Sequence, residues 1–271
     1  MVWPSTAGAD VSLVFGTYAA DKPSEVVRQL RPSLNEIAKN ASTVLGEPVE
    51  IRMHVVRSYE EGVELITSGR VDFARLGPVS YVIAKNANPG LSILATERKN
   101  GGKVFKGIII VAKDSPIQDA SQLRGKSFAF GNENSTIGRY LAQRFLIARG
   151  IRAADLSRFD YLGRHDKVGH AVGAGLFDAG SLKETTFNKL VAQGVPIRAI
   201  AHFDSATKPW VVRANLPASI RKALKQALMM VEDGEAFKAL RFDGFSHGRD
   251  SDYTAIRQAI TENAKFFAGA L

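Results

Sequence analysis

The sequence predicts an α/β protein built as two lobes with a cleft between them, and three observations carry that reading. Short apolar, β-prone runs alternate with segments of helical periodicity along the whole chain. The alternation comes as two successive βα series, separated by the strongest β run, residues 105–111. The length of 271 residues is large for one hydrophobic core and suits two.

In the first series, residues 11–15 read as a buried strand. Residues 24–38 read as a helix with Val26, Leu30, Leu34 and Ile37 on one face, bent or shortened at Pro32. Residues 48–56 alternate like a strand. Ser58-Tyr59-Glu60-Glu61 fits a capping box, and the helix behind it stops at Gly69. A strand at 71–76, a short helix at 79–85 and a strand at 91–96 follow. Asp114-Ser115-Pro116 breaks the run at 105–111. The second series has strands at 127–130, 159–162, 177–179 and 197–203, with helices after Ser135, at 166–174 and from Glu184 to Gly194. The remainder reads as helix over 217–231, 235–242 and 253–267.

Composition narrows the function. Hydrophobic residues at 45% and charged residues at 23% describe an ordinary globular chain. No apolar run approaches the roughly 20 residues of a membrane span, and the first ten residues read as a small, polar, unstructured leader without a secretory signal. That start fits a mature exported form as well as a cytosolic one. The absence of cysteine removes disulfides and thiolate metal sites. The net charge of +9 is spread along the chain and is not interleaved with aromatics, which argues against nucleic acid and for solvation plus steering of anions.

Candidate ligand contacts fall just after strands, where ligands bind in α/β sheets. The most informative is Gly131-Asn132-Glu133-Asn134-Ser135-Thr136-Ile137-Gly138-Arg139-Tyr140, which lies between an apolar strand and a helix. Two hydroxyls at a helix start either cap the helix's own N–H groups or help seat an oxyanion there; local sequence favours the cap. Gly16-Thr17-Tyr18, Gly77-Pro78-Val79-Ser80-Tyr81, Gly163-Arg164-His165-Asp166, Asp178 and Lys183-Glu184 occupy similar positions. Each also has a plain structural reading: core-edge tyrosines, an N-cap pair, a turn former, a solvated helix start. No nucleophile elbow, metal-spaced histidine pair, Walker loop or strand-following GxGxxG is present, so the sequence points away from an enzyme and implies no metal and no cofactor.

In their order and spacing, these motifs resemble the periplasmic phosphate/phosphite/phosphonate-binding proteins of ABC transporters, within the type 2 periplasmic-binding-protein fold. The resemblance rests on Leu76-Gly77-Pro78-Val79-Ser80-Tyr81-Val82-Ile83-Ala84, Gly125-Lys126-Ser127-Phe128-Ala129-Phe130-Gly131, Asn134 to Tyr140, Gly163-Arg164-His165-Asp166 and Phe177-Asp178-Ala179-Gly180, and covers nearly the whole chain from Leu13 to Phe267. It implies a hinged pair of lobes, 1–106 with 213–271 and 107–212, with residues 108–111 leading out to the second lobe and the stretch around Pro209 to Arg213 leading back. It also raises the anion seat above the cap as the reading of Ser135-Thr136.

Carried over by position, the resemblance implies that Ser135 and Thr136 bind a tetrahedral oxyanion and that His165 donates to it. Tyr81 or Ser80, and Tyr18, close the first-lobe side, and Asp178 accepts from a protonated oxygen or a ligand amine. Ile137 and Phe105-Lys106 stand where relatives often carry further hydroxyls, leaving Lys106, Arg164 or Lys183 to supply charge. The implied protein is a periplasmic monomer that captures phosphate, phosphite, a phosphonate or an analogue such as arsenate. It delivers the ligand to an ABC permease or, alternatively, presents it to a sensor-kinase ectodomain. It meets the membrane only through that partner.

Overall fold

Two separate sheets form, and the strands cross between them twice. The computed structural model describes residues 11–19, 22–232, 234–238, 240 and 242–269; the leader at 1–10 lies outside them. The first lobe opens with β1 (Val11–Tyr18), α1 (Pro23–Leu45), β2 (Val49–Val56), α2 (Tyr59–Thr67), β3 (Phe73–Arg75), α3 (Pro78–Ala87) and β4 (Ser92–Arg98). The second lobe contains β5 (Val104–Ala112), β6 (Ser127–Phe130), a π-helical stretch Thr136–Leu141 continuing into α4 (Ala142–Ile147), β7 (Arg158–Tyr161), α5 (His165–Gly173), β8 (Ala179–Lys183), α6 (Glu184–Ala192) and β9 (Ile197–Ala206). β10 (Pro209–Val212), α7 (Ala218–Met229), α8 (Gly234–Lys238), β11 (Gly244–Ser246), α9 (Thr254–Glu262) and α10 (Ala264–Phe267) complete the chain.

The first sheet has the order β11-β4-β10-β3-β1-β2 and the second β7-β6-β8-β5-β9. β1 runs parallel to β2 and β3, and β6 runs parallel to β7 and β8. The helices between these parallel strands therefore all begin at the carboxyl ends of their sheets, which places the βα turns on one side of each lobe.

The crossings differ from the expected boundaries. β5 pairs with β9 from Val104 onward, so the second sheet starts before residue 107, and residues 108–111 lie buried inside it rather than at a hinge. β10 inserts between β3 and β4, so the chain has returned to the first sheet by Pro209, not at 213. The strand crossings are residues 99–103 and 207–208; Thr207 N–H donates to the Lys103 carbonyl at 3.0 Å and joins them, and Glu97 N–H of β4 donates to the Lys208 carbonyl at 3.0 Å. Pro209–Val212 is wholly apolar, and apolarity alone does not say which sheet a four-residue strand joins. Pro32 does not shorten α1, which continues to Leu45 and ends where Gly46 takes a left-handed φ of 74°.

Each lobe has its own aromatic core. In the first, Trp210 is fully buried between Phe15, Phe73 and Phe245, and its indole N–H donates to Glu97 at 3.2 Å. In the second, Phe128 and Phe159 meet Phe130, and Phe266 of α10 packs against Phe130 and Phe159. The last helix thus packs on the lobe opposite the one that α7 and α8 cover. Replacing a fully buried large aromatic with alanine costs about 3–5 kcal/mol. Trp210→Ala is expected to lose that much stability, measured by urea denaturation.

Candidate functional site

The first-lobe wall is the start of α3. β3 ends at Arg75, and Gly77 and Pro78 turn the chain into the helix with proline in its first turn, where a missing N–H is harmless. Gly77, the N-cap, has no side chain to cap with. Its own N–H donates to the Tyr18 hydroxyl at 2.8 Å, and that hydroxyl shares a 2.8 Å hydrogen bond with Ser80 Oγ. A Cβ on Gly77 would stand 2.6 Å from the Tyr18 oxygen, so glycine is required for this approach. Burial pushes the Tyr18 pKa up, against the hydrogen bonds from Ser80 and Gly77, so the phenol stays protonated and can donate.

The second-lobe wall is the turn after β6. Ser135 is the N-cap of the helix that follows, its Oγ accepting from Gly138 N–H at 2.9 Å. The Ser135 carbonyl accepts from both Arg139 and Tyr140, and the five-residue step to Tyr140 makes this first turn π-helical. Gly131 and Gly138 pack backbone to backbone, where a Cβ on Gly138 would come within 2.8 Å of the Gly131 Cα. The Thr136 and Ile137 N–H groups have no acceptor among the described residues. The Thr136 hydroxyl reaches across the cleft and accepts from Val79 N–H of α3 at 2.9 Å, so one helix start caps the other.

Two more helix starts arrive at the same place. α5 begins at His165 after β7, and α6 begins after Lys183 at the end of β8; neither N-cap residue uses its side chain as a cap. Together with the starts of α3 and of the Thr136 helix, they surround a cavity of about 30 Å³ lined by Tyr18, Gly77, Pro78, Ser135, Thr136, Ile137, His165 and Lys183, with Tyr59, Phe105 and Lys208 completing the wall. Every helix start carries partial positive charge and outward-facing N–H groups. Lys183 and Lys208 add ammonium groups, and no Asp or Glu lies among the described lining residues. Such a donor-rich wall suits a ligand made mostly of acceptors.

Of the residues singled out from sequence, the cavity gathers Tyr18, Ser135, Thr136, Ile137, His165 and Lys183. Ser80 stands one hydrogen bond behind it. Tyr81 does not reach it: the next residue along α3 points about 100° away, and the Tyr81 hydroxyl donates to Asp250 at 2.6 Å while its ring packs on Tyr253. Lys106 is exposed, because alternation along β5 puts Phe105 on the cavity side. Arg164 is held in two hydrogen bonds by Asp166, at 3.0 and 2.9 Å. Asp178 sits at the amino end of β8 and accepts from Ser127 N–H and Oγ at 2.8 and 2.6 Å, at the edge of the sheet away from the βα turns. Gly77 and Pro78, from the candidate segment after β3, also line the cavity, whereas Tyr59, Phe105 and Lys208 join it without having been named as contacts from sequence. Gly77-Pro78 carried a usable signal, a strand-following Gly-Pro that opens a helix.

Among the described residues, no helix is long and apolar enough to cross a membrane, and no group of three or more His, Cys, Asp or Glu side chains is placed to hold a metal ion.

Comparison with known proteins supplies the family. A model of the periplasmic substrate-binding protein of phosphonate ABC transporters matches residues 15–253. The chain is 28% identical over 144 residues to a probable ABC transporter phosphite binding protein of Prochlorococcus marinus, a match covering 50% of this chain and 48% of that one. It is 26% identical over 152 residues to the phosphonates-binding periplasmic protein of Escherichia coli, covering 54% of this chain and 43% of that one. The chain thus spans about half the length of the curated relatives it matches. Its fold is similar to the solved structure of PhnD1 from Prochlorococcus marinus in complex with methylphosphonate, with a TM-score of 0.81 over 94% of this chain and 98% of that one, at 20% identity.

The two hydrogen bonds from Ser127 outweigh burial and hold the Asp178 carboxyl below the ordinary aspartate range. Because its folded pKa is lowered, its contribution to stability is present above the unfolded value of about 3.9 and is lost as pH falls through the folded one. Asp178→Asn is expected to lower stability at neutral pH by about 1 kcal/mol or less, given its exposure, and to flatten the loss of stability below about pH 4. Thermal melts across pH check this, and the variant's oxyanion affinity is expected to be unchanged.

Proposed function

We propose that this chain, which belongs to the family of periplasmic phosphonate-binding proteins of ABC transporters, captures one tetrahedral oxyanion between its lobes and delivers it to an ABC permease in the periplasm. Phosphate, phosphite and phosphonates are the ligand class. The observation that carries the reading is the meeting of four helix starts around one small cavity whose described wall holds no carboxylate. A single chain supplies both walls, so a monomer suffices. No observation favours a sensor kinase over a permease as the partner.

The hydroxyls and amides that now satisfy one another are the groups the anion takes over. An oxyanion seated between α3 and the Thr136 helix accepts from Val79 N–H in place of the Thr136 oxygen, and from the Thr136 and Ile137 N–H groups. The Ser135, Thr136 and Tyr18 hydroxyls donate to it, with His165 and Lys183 at the flank. Closure is held at the rims. Lys189 of α6 donates to both oxygens of Glu25 of α1 at 2.6 Å, and Asn134 donates to Glu60 of α2. Release requires these contacts and the Thr136–Val79 bond to part, which is the closure-and-opening cycle of a hinged binding protein.

A hydrogen bond to a charged group contributes about 1.5–3 kcal/mol net. Four or five of them, less the cost of ordering and desolvation, place binding near micromolar, about −8 kcal/mol. Ser135→Ala combined with Thr136→Val removes two donors and is expected to weaken phosphate or methylphosphonate binding at least about 100-fold. Isothermal titration calorimetry on the variant, with its fold checked by circular dichroism, measures this. Unchanged affinity for every oxyanion the parent protein binds would contradict the assignment.

A further inference from the structure

α2 carries a residue that its own helix does not favour. Gly62 is the fourth of the nine residues Tyr59–Thr67. Only proline is a poorer helix former than glycine, and Gly62 does not have the positive φ for which glycine is needed. The reason is a contact. A Cβ on Gly62 would stand 2.5 Å from Cδ1 of Tyr18, 3.0 Å from its Cβ and 3.2 Å from its Cγ. Tyr59 packs its ring against the Tyr18 ring, with centroids 4.1 Å apart. Tyr59 and Gly62 are three residues apart, so they share one face of α2 and form a slot for the phenol.

We propose that this α2 slot, with Gly62 as its floor, positions the ligand-binding hydroxyl: Gly62 sets how far Tyr18 reaches into the small cavity, and acts on oxyanion affinity through that hydroxyl. This inference rests on the oxyanion reading of the small cavity. The far end of Tyr18 is as confined as its root. Its hydroxyl accepts from Gly77 N–H and pairs with Ser80 Oγ, both at 2.8 Å, and a Cβ on Gly77 would stand 2.6 Å from the hydroxyl oxygen. Tyr18 therefore lies between two glycines, one on α2 and one at the start of α3. Relaxing a 2.5 Å contact to ordinary carbon–carbon distance takes a shift of about 1 Å. The aromatic ring is rigid, so a shift imposed at Cγ and Cδ1 is carried to the hydroxyl, and about 1 Å takes a 2.8 Å hydrogen bond out of range.

The test is a double-mutant cycle by calorimetry with methylphosphonate on the parent protein, Gly62→Ala, Tyr18→Phe and the double variant, with urea denaturation of each. Tyr18→Phe keeps the ring against Gly62 and removes only the hydroxyl. Gly62→Ala is expected to weaken binding at least about tenfold in the parent and by less than about twofold in the Tyr18→Phe background. Its effect on the urea midpoint is expected to be the same in both, because the crowded ring is present in both. Should Gly62→Ala fail to fold, Tyr59→Leu opens the slot from its other side and completes the same cycle. A loss of affinity that is equal in the two backgrounds, or no loss at all, makes the slot a packing feature and overturns the assignment. If Tyr18→Phe binds as tightly as the parent, the hydroxyl is no contact and the assignment falls while the oxyanion clamp stands. If the parent binds no methylphosphonate, phosphate or phosphite, the clamp itself is wrong and the assignment falls with it.

Discussion

Four helices of this protein begin at one point, and like partial charges repel. The starts of α3, the Thr136 helix, α5 and α6 bring their positive ends and their unpaired N–H groups around a cavity of about 30 Å³. Much of the local sequence follows from that constraint. Pro78 removes one donor from the α3 start, and Thr136 supplies an acceptor to another across the cleft. Gly77 and the Gly131–Gly138 contact let backbone and hydroxyl approach where a side chain would intervene. As at any helix start, the Thr136 and Ile137 N–H groups precede the helix's own hydrogen-bond ladder. An anion relieves this crowding of positive ends, and no other ligand charge does so.

The sheets make the convergence possible. Parallel pairing of β1 with β3, and of β6 with β7 and β8, sends every intervening helix off from the same edge, so the two edges face each other once the lobes meet. The crossings at 99–103 and 207–208 are joined by the Thr207–Lys103 backbone hydrogen bond, and Lys208 at the second of them lines the small cavity. In the binding cycle proposed above, ligand contact and hinge are neighbours in the chain. α10 adds a constraint at the far end: by burying Phe266 in the second lobe it ties the C-terminal segment across the pair.

Much of this was legible in the sequence because it is local. The capping box at Ser58, with Glu61 reaching back to the Ser58 N–H, formed as read. The strand-turn-helix around Ser135 also formed, and its serine is the cap that local sequence favoured and at the same time lines the small cavity. Direction and pairing were not legible. Tyr81 follows Ser80 by one residue, yet a helix turns it toward Asp250. Lys106 follows Phe105, yet a strand turns it to solvent. Asp178 is near the strand in sequence but at its amino end, so it secures Ser127 instead of facing the cleft. β10 carries no mark of the sheet that accepts it, and the contact of Lys208 with the site depends on that choice.

The central claim is that the facing helix starts of α3 and the Thr136 helix hold an anion between them. A crystal structure of the protein grown with saturating methylphosphonate tests it most directly. The account predicts a tetrahedral group in the small cavity, its oxygens within hydrogen-bond distance of the Val79, Thr136 and Ile137 N–H groups, with the Thr136 hydroxyl turned from Val79 to the ligand. A structure in which the Thr136 hydroxyl still accepts from Val79 N–H, with the phosphonate bound elsewhere or not at all, would contradict it.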